Sequence, residues 1–171
     1  MGLFSSAEKL PTLEDLLHHE IADLHSAESQ LIEALPKMAE AATDSTLKSA
    51  FTEHLQETKG QRERLVRIGQ VLNFDVEGTT CKAMKGLVAE GQEIIKSKAE
   101  PLVKDAGLIG AAQRVEHYEM AGYGTAMGLA KELGHQDVYA LLEETLNEEK
   151  NADQKLNQIA INRVNKKAQH T

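Results

Sequence analysis

The chain of 171 residues has no Trp, three Pro, one Cys and only 4% aromatic residues. Each scarcity excludes something. A lone Cys81 rules out an internal disulfide and fits a reducing compartment. Aromatic and β-branched clusters are few, while Ala, Leu, Glu, Lys and Gln dominate, which favours helix over sheet throughout. No apolar run approaches the ~18 residues of a membrane span. The N-terminus lacks a charged segment followed by an apolar core, so no secretion signal is visible, and the expected location is cytoplasmic. A basic excess is missing too: the net charge of −8 argues against a nucleic-acid partner. What is present, 41% hydrophobic and 27% charged residues, suits a single domain over 1–171 with a real core.

Helical periodicity divides the chain into four long segments. The first is expected to start at the N-cap Thr12, with Glu14 and Asp15 in its first turn, leaving 1–11 as an N-terminal arm. Its apolar stripe runs Leu17, Ile21, Leu24, Leu31, Leu35 and Met38, with Pro36 expected to kink it. Thr43-Asp44-Ser45 reads as a turn, and a second helix through Leu47, Phe51, Leu55, Leu65, Ile68 and Leu72 ends near Asn73. Residues 73–107 read as a crossover with a shorter helix inside 82–98, bracketed at its end by Pro101 and Gly107. A third helix follows to a C-cap at Gly134, then a fourth through Leu142, Leu146, Leu156 and Ile159. Residues 162–171, with Arg163, Lys166 and Lys167, read as a basic, frayed tail. Two short-turn hairpins joined by one long connection predict an all-α, ferritin-like four-helix bundle.

Acids interrupt the apolar stripes where leucines belong. Positions 17, 21, 24, 28, 31, 35 and 38 share one buried face, and all are apolar except Glu28. The third helix repeats this at Glu119, within Leu108, Ala112, Val115, Ala126, Leu129 and Leu133. Sliding the chain by 91 residues places Glu28 on Glu119 and Glu57 on Glu148, with the apolar stripe in register. Glu28 and Glu57 lie 16 and 13 residues from the first turn, and Glu119 and Glu148 lie 16 and 13 from the second. At ~1.5 Å per residue the members of each pair differ in height by about 4.5 Å, so the acids are expected to converge.

The second helix presents Phe51, His54, Thr58 and Gln61 inward with Glu57 adjoining; the fourth presents Thr145 and Glu149 with Glu148 adjoining. Glu116 precedes Glu119 by one turn. The candidate metal ligands are therefore Glu28, His54, Glu57, Glu116, Glu119 and Glu148 or Glu149. Buried carboxylates are unfavourable unless paired, protonated or metal-bound. Hard oxygens with an imidazole point to iron, two ions, with manganese as an alternative. Tyr118 and Tyr123 flank this region, and Gly122, Gly124 and Gly128 suggest close helix approach, an access path or packing against a partner.

The stretches Ser26–Leu31, Glu53–Thr58, Val115-Glu-His-Tyr-Glu119 through Thr125, Glu144–Lys150 and Ala160–Lys167 resemble the YciF-type stress-response proteins of bacteria, within the ferritin-like superfamily. That resemblance implies the bundle, a homodimer and a role in stress. It also implies a di-iron pattern of Glu and Glu-x-x-His in each hairpin, from which this chain departs. The second helix reads His54-x-x-Glu57, and Asn151 or Ala152 stands where the fourth helix would carry histidine. Two functions remain open: an iron-handling oxidoreductase acting on dioxygen or peroxide, and a metal-free structural or interaction protein.

Overall fold

The computed structural model describes residues 9–170. Most of the N-terminal arm, with the reading made of it, lies outside that range. The described chain holds α1 (Leu13–Ala41), α2 (Ser45–Leu72), α3 (Lys82–Lys96), α4 (Pro101–Glu132) and α5 (Gln136–Ile159), then a π-helical turn (Ala160–Val164) and α6 (Asn165–Ala168). Among these residues no helix is long and apolar enough to cross a membrane.

The helix ends follow local chemistry. Thr12 and Asp15 form a reciprocal capping box at the start of α1. Asp44 caps α2 by accepting from the backbone N–H of Thr46 at 2.9 Å and of Leu47 at 3.4 Å. Asn73 leaves α2 in the left-handed region (φ 55°), and Gly134 does so after α4 (φ 79°), where a side chain would be strained.

Helices α1 and α2 form one hairpin and α4 and α5 the other, with α1 against α4 and α2 against α5. The crossover helix α3 lies on α4 and α1. This is the ferritin-like four-helix bundle. Its apolar interior forms two clusters. One gathers Leu31, Phe51, Leu108, Leu156 and Val164 around the turn after α1; the other gathers Leu17, Leu65, Tyr123, Val138 and Leu142 at the opposite end. Between them all four long helices contribute buried polar side chains.

Pro36 lies within α1, which runs on to Ala41 with the ring on its exposed face. Two local expectations need correction. The crossover closes at Glu100 rather than 107, because Pro101 occupies the first position of α4, where its missing N–H has no helical role. Arg163 and Lys167 do not fray: the chain stays helical, Val164 is buried, and both cations reach back to Asp44 Oδ2 at 2.5 and 3.3 Å.

Candidate metal centre

The polar layer is built by heptad-spaced positions one or two turns from leucines on the same faces. α1 supplies Glu28, α2 His54, Thr58 and Gln61, α4 Glu116 and Glu119, and α5 Thr145 and Glu149, all buried. One ligand atom each from His54, Glu116, Glu119 and Glu149 can be chosen so that all four lie within 4.8 Å of one another. His54 Nε2 is 3.4 Å from Glu116 Oε1 and 3.8 Å from Glu149 Oε2. Its Nδ1 is 3.2 Å from Glu57 Oε2. An ionised Glu57 can only accept, so Nδ1 carries a proton and the ring turns its Nε2 to the layer. Glu28 completes the layer, and its Oε1 accepts a hydrogen bond from the buried Tyr123 hydroxyl.

These acids have few donors. Among the described residues, the carboxylates of Glu119 and Glu149 have no hydrogen-bond donor to either oxygen, and Glu28 and Glu116 leave one oxygen unpartnered. Gln61 Oε1 and His54 Nε2 are orphaned with them. Buried polar atoms are rarely left this way, and all those without a hydrogen-bond partner here, except His18 Nε2, share one layer.

Electrostatics agree with the geometry. Burial, then the negative charge of Glu149, pushes Glu28 and Glu116 well above the ordinary carboxylate range. Glu119 is raised in the same way by burial and then by Glu28, and Glu149 by burial. Burial alone would lower His54, but its bond to Glu57 and the surrounding carboxylates outweigh this, and the net direction is upward. Metal-free, the layer holds its charge down by keeping protons.

Of the seven predicted residues, the structure brings together Glu28, His54, Glu116, Glu119 and Glu149. It does not bring in the carboxylates of Glu57 and Glu148. The Glu57 side chain is 49% exposed and acts through His54. Glu148 is gripped by the fork of Arg64, with Nη1 and Nη2 each 2.7 Å from one oxygen, and accepts from Gln61 Nε2 at 3.1 Å. Between the two candidates on α5, Glu149 faces the layer and Glu148 faces Arg64.

Arg64 was not singled out by the sequence. A signal existed, because it lies one turn beyond Gln61 on the same helix, but its partner is set only by how α2 meets α5. Tyr118 points elsewhere, donating to Asp23 and lying 3.0 Å from Cys81 Sγ. His18 and His135 pair with Glu14, and His117 with Asp153, outside the layer. Gly122 allows close helix approach: a Cβ there would stand 2.8 Å from Leu24 Cδ2. A cavity of about 200 Å³ reaches His54 and Glu116 from the surface between α2 and α5.

Fold and layer together define a ferritin-like bundle protein with an internal carboxylate–histidine cluster. More narrowly, the chain belongs to the family described as Domain of unknown function (DUF892), which matches residues 12–169. It is 47% identical over 162 residues to Protein YciF of Escherichia coli, covering 94% of this chain and 98% of that protein. The crystal structure of YciF, a stress protein, superposes with a TM-score of 0.89 over 92% of this chain and 99% of its own. YcfI of Rhodopseudomonas palustris, provisionally described as a structural protein, is 44% identical with a TM-score of 0.87, covering 91% and 99%. A Xanthomonas campestris protein at 19% identity and a TM-score of 0.70, covering 86% and 90%, shares the fold alone.

Proposed function

We propose that this protein serves the stress response by binding two iron ions in the central layer and holding them for oxidation of Fe(II) by dioxygen or peroxide. The observation that carries this reading is the set of buried, donorless carboxylate oxygens beside the bare Nε2 of His54. The residues present fit the metal. Glu28, Glu116, Glu119 and Glu149 offer four negative charges, which two divalent cations neutralise. Hard oxygens with one imidazole suit iron first and manganese second.

What two ferrous ions supply when bound is a pair of electrons for the oxidant. The chain's own contributions are positional. Glu57 orients His54, as a carboxylate behind a ligating histidine does in many metal sites. Tyr123 fixes one oxygen of Glu28 and leaves the other directed to the layer. Arg64 neutralises Glu148 and keeps a further acid out of the cluster. The apolar clusters above and below exclude bulk water along the bundle axis.

Anaerobic titration of the purified chain with Fe(II) tests the reading. About two ions per chain are expected, with binding lost in the Glu28→Ala, Glu119→Ala double variant and kept in an exposed control such as Glu33→Ala. Binding no stronger than in the double variant would reject it.

The metal-free structural reading draws on Ala152, which leaves α5 without a histidine, and on the name given to the Rhodopseudomonas relative. It requires that chelation leave the melting temperature unchanged and that Glu→Gln changes in the layer be tolerated. Homodimer formation belongs to the proposal and is read from light scattering of the intact chain.

A further inference from the structure

Along the bundle axis the polar layer is closed on both sides, by the Leu31–Phe51–Leu108–Leu156 cluster and by the Leu17–Leu65–Val138–Leu142 cluster. The flank near Gly122 is filled by Leu24. An opening lies sideways, in the cavity between α2 and α5. His54 and Glu116 form part of its wall, with Glu53, Glu57, Ala152 and Lys155. At about 200 Å³ it has room for several waters, and so for a hydrated divalent cation.

Three features give this cavity a direction. Ala152, one turn beyond Glu149, carries only a methyl group where a larger side chain would narrow the passage. The acids form a graded series from solvent inward: Glu53 is exposed, Glu57 one turn later is about half exposed, and Glu116 is buried. Lys155 on α5 donates to Glu53 on α2, so an ammonium spans the mouth.

We propose that this cavity is the port by which divalent cations reach the central layer, with Glu53 and Glu57 as successive carriers and the Lys155–Glu53 ion pair as its gate. The inference rests on the metal-binding reading. Surface carboxylates concentrate cations at the mouth, and the Lys155 ammonium opposes them. A cation gains Glu53 only when that pair opens. Glu57 then passes it inward, since the imidazole it orients is itself part of the cluster.

Stopped-flow loading of the full chain with Co(II) under anaerobic conditions, followed by ligand-field absorption, tests the port without any turnover. Ala152→Leu is expected to slow loading about tenfold with unchanged final stoichiometry, and Lys155→Ala to speed it about tenfold, the gain shrinking as salt is added. Circular dichroism checks that Ala152→Leu folds; if it does not, the exposed Lys155→Ala decides alone. Uptake at wild-type rates in every folded variant overturns the port and leaves the metal site standing. Absence of Co(II) uptake by the unaltered chain at equilibrium overturns both.

Discussion

Two groups of acids are buried in this bundle and are satisfied in opposite ways. At the end where α1 turns into α2, Asp105 reaches across from α4 and accepts from the backbone N–H of Thr43 at 2.8 Å and of Asp44 at 2.7 Å. Asp44 in turn caps α2 and binds Arg163 and Lys167. Every charge there has a donor or a counter-charge. In the central layer Glu119 is as deeply buried as Asp105, and neither of its oxygens has a donor. Burial of a carboxylate is therefore uninformative until its partners are counted. Asp105 ties α4 to the α1–α2 turn, whereas Glu119 has no hydrogen-bond partner among the described residues.

Deletion should separate the two groups by sign. Asp105→Ala leaves two backbone donors without their acceptor and is expected to destabilise the chain by about 2–4 kcal/mol in chemical unfolding. Glu119→Leu removes an uncompensated buried acid and fills the same stripe, and is expected to stabilise the metal-free chain by about 1–3 kcal/mol. A loss of stability on Glu119→Leu in chelator-treated protein would show that unseen donors already serve the layer.

Ligand should move one group only. Fe(II) or Mn(II) at a hundred times its dissociation constant adds about 2.7 kcal/mol to a protein that binds it only when folded. For a chain of this size that raises the melting temperature by roughly 5–10 °C. Asp105→Ala should keep that increment, because its acid lies outside the layer, and Glu119→Leu should forfeit most of it. Equal increments in both variants would place the metal elsewhere.

Sequence alone revealed the layer but not the division of labour within it. The stripe from Leu17 to Met38 announces a buried Glu28 because helical period is a local property. Glu148 and Glu149 could not be separated that way: neighbours on a helix differ by about 100° in direction, and the internal repeat favoured Glu148. What decides is Arg64 on α2, three helices earlier in the chain and adjacent in space. Asp105 was invisible for a similar reason, since its partners are backbone groups of a distant turn. The basic end of the chain looked like a solvated tail because its anion, Asp44, lies 119 residues earlier than Arg163.

Acidity should tilt the two regions in opposite directions. Burial pushes Asp44 up, but the bonds from Arg163, Thr46, Lys167 and Leu47 prevail and hold it below its ordinary 3.8. Its contribution is complete above 3.8 and is lost as pH falls through the lowered value. Glu28, Glu116 and Glu119, raised from 4.5 by burial, bind protons more readily folded than unfolded. Their contribution is complete below 4.5 and is lost as pH rises through the raised values. The melting temperature of the metal-free chain should therefore decline as pH rises above about 4.5, a slope that Glu119→Gln flattens. A flat or rising profile would mean the layer is not protonated.

The smallest effect concerns the glycines of α4, which face a choice between packing and openness. A methyl group at Gly122 would crowd Leu24, while one at Gly124 or Gly128 would meet nothing within 4 Å beyond its own stretch of helix among the described residues. Glycine in a helix interior costs about 1 kcal/mol relative to alanine through backbone entropy. Gly124→Ala and Gly128→Ala should each recover up to about 1 kcal/mol, read from urea midpoints at unchanged slope. Gly122→Ala should fall short of both, because the Leu24 methyl must swing away and disturb the cluster that closes the layer on that side. If all three gain equally, close approach at Gly122 is not what keeps α1 and α4 together, and the layer has a second way in.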